Sequence, residues 1–110
     1  MEVDLKKMLD FMIDNPYYGL RISGHTDSDG NEEDNKILSQ NRADAIKMWI
    51  VDNSYLQVEE SRIEAIGMGS SKPLVKEVTE KDKSINRRVE FEILEEGFED
   101  EEEEGLDWGD

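Results

Sequence analysis

The stretch that decides the fold is residues 18–51, YGLRISGHTDSDGNEEDNKILSQNRADAIKMWIV. Tyr18, Leu20 and Ile22 alternate with Gly19, Arg21 and Ser23, which predicts a strand with one buried face. A polar loop, GHTDSDGNEED, follows over residues 24–34. A helix is then predicted from about residue 35 to 51. Asp34 or Asn35 is read as its cap, accepting from backbone N–H groups of the first turn. Leu38, Ala45, Ile46, Trp49 and Ile50 are read as its apolar stripe, and Asp52-Asn53-Ser54 as its stop.

Working outward, residues 3–14, VDLKKMLDFMID, place Val3, Leu5, Met8, Leu9, Met12 and Ile13 at mostly helical spacing. Asn15-Pro16 ends that helix, because proline disfavours helical geometry in the residue before it. Residues 62–66 read as a strand, and residues 67–84 as mostly loop punctuated by Gly67, Gly69 and Pro73. Val89, Phe91 and Ile93 alternate with Arg88, Glu90 and Glu92, giving a final strand. The order α, β, α, β, β predicts a two-layer α/β sandwich with parallel pairing through a helical crossover. No internal repeat is present.

Composition narrows the function classes. A length of 110 residues favours one folded domain. No cysteine is present, which removes disulfides, thiolate metal sites and cysteine nucleophiles. No apolar run approaches the roughly 18 residues of a membrane-spanning helix. The start, MEVDLKKML, lacks the basic head and apolar core of a secretion signal. Residues 95–110 hold ten acidic and no basic side chains, so ten of the 16 net negative charges lie there and residues 1–94 carry −6. The chain is therefore expected to consist of a domain over residues 1–94 and a disordered acidic tail over 95–110. Phe98, Leu106 and Trp108 leave open a second reading of the tail as a partner-binding peptide. The acidity argues against nucleic acid, which needs a basic footprint, and against anionic lipid.

Few residues suit catalysis. The acidic loop from Asp27 to Asp34 invites comparison with an EF-hand, but the glycine and glutamate positions six and twelve hold Glu32 and Leu38. Weak adventitious cation binding is the most it offers. Gly67-Met68-Gly69-Ser70-Ser71-Lys72 lacks the spacing of a phosphate loop and opens no helix. His25 is the single histidine and has no GxSxG serine to serve. It is read as structural, and the chain as non-enzymatic, with no cofactor.

Arg42 is the informative anomaly. It is expected on or beside the apolar stripe, where a guanidinium needs a carboxylate or several acceptors. Asn35 and Ser39 precede it on the same side of the helix. The strand before the helix ends in Thr26-Asp27, and strand C-terminal ends are common ligand positions in layered folds. Asp27 and Arg42 are thus expected to line one cleft, with Asn35 and Ser39 between them. One reading is a structural salt bridge between the two. The other is a zwitterion site in which Asp27 takes an ammonium and Arg42 forks onto a carboxylate.

Four motifs together, Gly24-His25-Thr26-Asp27, Asn35-x-x-Leu38-Ser39-x-x-Arg42-Ala43, Gly67-Met68-Gly69 with Pro73, and Asn86-Arg87-Arg88-Val89-Glu90, resemble the C-terminal domain of outer membrane protein A. That OmpA-like family includes the peptidoglycan-associated lipoprotein and the flagellar stator protein MotB. The resemblance covers about residues 3–94. It implies a βαβαββ fold in the periplasm, attached to the outer membrane through a larger parent protein and binding peptidoglycan noncovalently. It further implies that Asp27 and Arg42 grip the diaminopimelate of the stem peptide, helped by Asn35 and by Arg87 or Arg88. The family's first strand is missing from this chain, which implies an open sheet edge and strand exchange or homodimerisation there. The acidic tail also departs from the family pattern.

Overall fold

A computed structural model describes residues 4–95. Val3 and the acidic tail from residue 96 onward lie outside the described residues. Helix α1 spans Leu5–Asp14; the Asp4 carboxylate accepts from the Lys7 N–H at its start, and the Asn15 N–H closes on the Phe11 carbonyl at its end. Leu9 and Met12 are its buried residues, as its periodicity predicts. Phe11 meets Tyr18 edge-on, with ring centroids 5.7 Å apart.

Strand β1 spans Gly19–His25, helix α2 Glu32–Asp52, strand β2 Ile63–Gly67, helix α3 Glu80–Asn86 and strand β3 Arg88–Leu94. A single 3₁₀ turn, Glu60–Arg62, precedes β2. The sheet order is β2-β1-β3, with β1 parallel to β2 and antiparallel to β3. The long α2 makes the parallel crossover possible. Leu20 and Ile22 pair with Ile63 and Ala65 on one side and with Ile93 and Phe91 on the other. Directly opposed residues share a face, so these six build the floor of the core. Leu9, Met12, Ala43, Ile50 and Val58 close it from above. On the opposite sheet face Arg21 reaches Glu64 at 2.6 Å and Glu92 at 3.1 Å.

How α2 meets the sheet differs from the expected stripe. Gly24 and Gly67 are register partners at the end of β1 and β2. A Cβ on Gly24 would stand 2.5 Å from the Ser39 carbonyl oxygen, and one on Gly67 would stand 2.7 Å from both Gln40 Cα and the Lys36 carbonyl oxygen. The helix backbone therefore rests on bare strand backbone, and the residues facing that contact must be small. The buried positions of α2 are Asn35, Ser39, Ala43 and Ile50, with Ile46 packed beside them. Leu38 and Trp49 remain 45% and 37% exposed, and Ala45 is also exposed. Three of the five predicted stripe residues thus flank the interface instead of forming it.

Three further differences have local causes. The cap of α2 is Asn31, not Asp34 or Asn35; its carboxamide oxygen accepts from the Asp34 N–H at 2.7 Å, so the helix starts one turn earlier. The segment read as loop contains α3, started by a capping box in which Thr79 and Asp82 bond each other's backbone N–H groups. Arg62 lies just before β2, and its guanidinium donates to the carbonyls of Met12, Asn15, Tyr18 and Gln57. Among the described residues β2 and β3 each keep one unpaired edge, and three strands are present where the family pattern implies four.

Gly24→Ala and Gly67→Ala should each lower the unfolding free energy by about 1–3 kcal/mol, because helix and strand backbones must part to admit a methyl group. Urea denaturation checks this. Unchanged midpoints would show that the glycines do not set the helix-to-sheet distance.

Candidate functional site

The end of the molecule where β1 and β2 finish carries the motif residues. The Met68 N–H bonds the Gly24 carbonyl, and the Thr26 N–H bonds the Gly69 carbonyl, so the two strand exits run together. Ser39, fully buried, accepts from the Gly69 N–H at 2.9 Å and donates to the Lys36 carbonyl. Thr26 is buried and its hydroxyl donates to the Asp27 carbonyl. Asn35, also buried, donates its amide to the carbonyls of Asp29 at 3.0 Å and Asp27 at 3.4 Å. Thr26, Asn35 and Ser39 therefore shape the loop after β1 with their side chains turned inward.

Asp27 is only 7% exposed. One carboxylate oxygen accepts from the Asp29 N–H at 2.9 Å and the other from Arg87 Nη1 at 2.5 Å. Burial by itself would raise the Asp27 pKa. The Asp29 N–H, the Arg87 guanidinium and the nearby Lys83 outweigh it and hold the group below the ordinary carboxylate value. Arg87 reaches Glu80 at 2.5 Å with its other nitrogen, and its own pKa is raised, by Glu80 first and Asp27 next. Lys83 pairs with Asp29 at 3.1 Å. Helix α3 thus carries cations and a carboxylate to the loop that holds Asp27.

Asn86 fixes α3 in place. It is fully buried; its oxygen accepts from the N–H groups of Leu74 and Val75, and its amide donates to the Val75 carbonyl and to Glu77. Glu77 in turn accepts from the hydroxyl and N–H of Ser28, next to Asp27. The Ser28 hydroxyl and then the Asn86 amide draw its pKa down. Sequence reading missed Glu77, Glu80 and Lys83, and quoted Asn86 only as part of a motif, without its role. The Thr79-x-x-Asp82 pattern was the available signal that a helix, and not open loop, approached Asp27.

The two motif arginines face different ways. Arg88 is buried, with Nε on Glu90 at 2.7 Å and its other nitrogens on the Asn86 and Lys72 carbonyls. It pairs in register with His25, which is 3% exposed. His25 Nε2 lies 3.3 Å from the Ser23 hydroxyl and 3.8 Å from Glu90, while Nδ1 is buried without a hydrogen-bond partner among the described residues. Arg87 is the arginine brought to Asp27. Arg42 departs from expectation: it is exposed on α2, forms no hydrogen bond or ion pair among the described residues, and is not the partner of Asp27. The physical reason is the offset of the buried face toward Ser39 and Ala43, which turns position 42 outward. A structural Asp27–Arg42 salt bridge is therefore not formed.

The arrangement offers a recessed carboxylate, a half-buried guanidinium beside it, and an uncommitted guanidinium on the following helix. Asp27, Asp29 and Asp34 of this loop turn instead to Arg87, Lys83 and Asn31, Glu32 accepts from Ser70, and among the described residues no three metal-ligating side chains converge. A polar ligand carrying both charge signs matches this set better than a cation does.

Comparison with known proteins places the domain. The chain is 41% identical over 90 residues to outer membrane porin F of Pseudomonas fluorescens, covering 82% of this chain and 27% of that protein. It is 33% identical over 85 residues to the peptidoglycan-associated lipoprotein of Buchnera aphidicola, covering 77% of this chain and 47% of that one. The chain spans about a quarter and about half of these relatives' lengths. The crystal structure of the peptidoglycan-associated lipoprotein from Burkholderia pseudomallei superposes with a TM-score of 0.73 at 29% identity, over 81% of this chain and 73% of that one. A MotB-like protein from Desulfovibrio vulgaris gives 0.70 at 26% identity, over 84% and 59%. The OmpA family model matches residues 2–87, and with the glycine-seated helix, the Asp27 loop and the Asn86-Arg87-Arg88 support in place, the chain belongs to the OmpA family.

Proposed function

We propose that this domain is a non-catalytic anchor that binds peptidoglycan and tethers a larger envelope protein to the cell wall from the periplasmic side. The reading is supported by a recessed Asp27, held below the ordinary carboxylate pKa, in the loop that leads into the helix on which Arg42 stands exposed and without a side-chain partner among the described residues. An α-amino acid head group, as on the diaminopimelate of a stem peptide, presents an ammonium for the first and a carboxylate for the second. Relatives named as outer membrane proteins and a peptidoglycan-associated lipoprotein support the same reading. Asn35, Thr26 and Ser39 hold the loop, and Arg88 supports it from below. Arg87 is the gatekeeper: the ligand's ammonium approaches a carboxylate that already holds this guanidinium, which Glu80 can retain when it lets go.

Each charge-assisted hydrogen bond contributes about 1.5–3 kcal/mol, so one stem is held modestly. A wall with repeated stems raises the effective grip through local concentration.

Arg42→Ala should weaken co-sedimentation with purified sacculi by about 10- to 100-fold. Because Arg42 is exposed and unpaired among the described residues, the variant's melting temperature should match the parent's. A variant that pellets normally would refute the site.

Asp27 and His25 are among the groups on which acidification acts. Asp27 has a folded-state pKa below the ordinary 3.8, so its charge and the stability that goes with it persist until the pH falls through that value. The His25 pKa is lowered from 6.5 by burial first and by Arg88 next, with Glu90 opposing. The fold therefore prefers neutral His25, and stability is full above pH 6.5 and declines as the pH drops below it. His25→Asn should remove that decline. Unfolding free energies at about pH 7.5 and about pH 5.5 check it, and equal differences in parent and variant would rule out His25 as the source.

A further inference from the structure

The pole opposite Asp27 has an organisation of its own. Here β1 and β2 begin and β3 ends, Leu94 being the register partner of Gly19. The Arg62 guanidinium gathers two turns at this pole, donating to the Asn15 and Tyr18 carbonyls of one and to the Gln57 carbonyl of the other. Between those anchor points stand Tyr17, 86% exposed, and Tyr55 and Leu56, 86% and 96% exposed. Tyr55 and Leu56 also have φ of 52° and 70°, a left-handed backbone that bulky side chains rarely adopt. The strain is imposed locally: buried Ser54 donates its hydroxyl to the Val51 carbonyl and accepts the Val58 N–H, pinning both ends of the turn. Glycine or asparagine would sit there without strain. Instead the turn presents two large apolar side chains outward, and a third joins them from the turn before β1.

We infer that Tyr17, Tyr55 and Leu56 form a docking surface for a protein partner whose contact face is an apolar pocket in a basic surround. Local charge selects that occupant. Asp14, Asp52, Glu59 and Glu95 are exposed on the elements that end or begin at this pole. The cations nearby are committed, Arg62 to the carbonyls and Lys47 to Glu60 at 3.6 Å. Like charge opposes a second copy of this chain, which carries −16, and opposes an anionic lipid surface. It equally opposes the acidic run that follows Glu95 as the cover. An exposed apolar cluster rimmed by one charge sign is the form an interface takes before its complement arrives. With the wall site at the far end of the strands, the domain can engage both ligands at once. The inference does not rest on the wall reading.

The test uses the full 110-residue chain and a defined probe, a roughly 18-residue amphipathic Leu/Lys peptide, against a Ser/Lys peptide of equal charge, titrated at about 0.15 M salt. The parent should prefer the Leu/Lys peptide by about tenfold or more, and Arg42→Ala should keep that preference. In the Tyr17→Ser/Tyr55→Asn/Leu56→Gly variant it should fall to about twofold or less. Melting temperature supplies the second measurement: Tyr55→Asn and Leu56→Gly should leave it unchanged or raise it by up to about 5 °C as strain is relieved. A fall would mean that these side chains pack against their own chain, and would overturn the surface. So would a Leu/Lys preference that survives the triple substitution. A parent dimer that the variant abolishes would assign the surface to a second copy, and binding to phosphatidylcholine vesicles lost in the variant would assign it to a membrane; either overturns the proposed partner.

Discussion

Direct contact between the backbone of α2 and the paired strand glycines Gly24 and Gly67 governs the rest of this structure. Side chains at those two strand positions would lift the helix off the sheet by the thickness of a methyl group or more. With the helix seated, Ser39 can bond the Gly69 N–H, Gln40 can bond the Gly67 N–H at 2.8 Å and the Ala65 carbonyl at 2.8 Å, and Asn35 can reach the carbonyls of the Asp27 loop. These are polar bonds across a helix–sheet interface where apolar packing is the usual cement. They locate the loop after β1, and so Asp27, with backbone precision. The apolar core supplies cohesion further along the same helix, at Ile46 and Ile50.

A second constraint follows from the first. Asp27, fixed and nearly buried, requires a counter-charge, and Arg87 provides it from the junction of α3 and β3. Arg87 is the C-cap residue of α3, so the ion pair ties a short, surface-lying helix to the strand tip. Glu80 holds the other face of the same guanidinium, and Lys83 repeats the pattern on Asp29. Asp27 is thus electrostatically satisfied by Arg87, while the Arg42 side chain has no partner among the described residues. The chain of bonds from buried Asn86 through half-buried Glu77 to exposed Ser28 ties the Asp27 loop to the end of α3.

Sequence legibility varied with how local the deciding physics was. Val89, Phe91 and Ile93 alternate, and β3 is where they put it; Pro16 stops α1 next to Asn15. The Gly24–Asp27, Asn35–Ala43 and Asn86–Glu90 motifs identified the family. The buried face of α2 was misread, because hydrophobic periodicity follows the larger side chains and this interface selects the smaller ones. Leu38 and Trp49 looked like core and are flank; Ser39, read as lining a cleft, and Ala43, left out of the stripe, are the contact. The same quarter-turn error carried Arg42 inward on paper, whereas it stands in solvent. Arg62 read as the start of a strand, since nothing in its neighbours reveals four carbonyls from three elements converging on it.

By itself, then, the sequence determined two of the three helices and all three strands in their order, the separate acidic stretch, the absence of thiol chemistry and a short list of polar residues worth following. Those properties depend on residues close together in the chain, through periodicity, capping and composition. Tertiary structure alone decided that Asp27 is paired by Arg87 and not by Arg42, that Arg88 supports while Arg87 faces the loop, and that Tyr17 and Leu56 share one pole. Each of those outcomes depends on contacts between segments far apart in sequence: β1–β3 pairing and the Asp27–Arg87 ion pair at one pole, and the Arg62 guanidinium gathering two turns at the other.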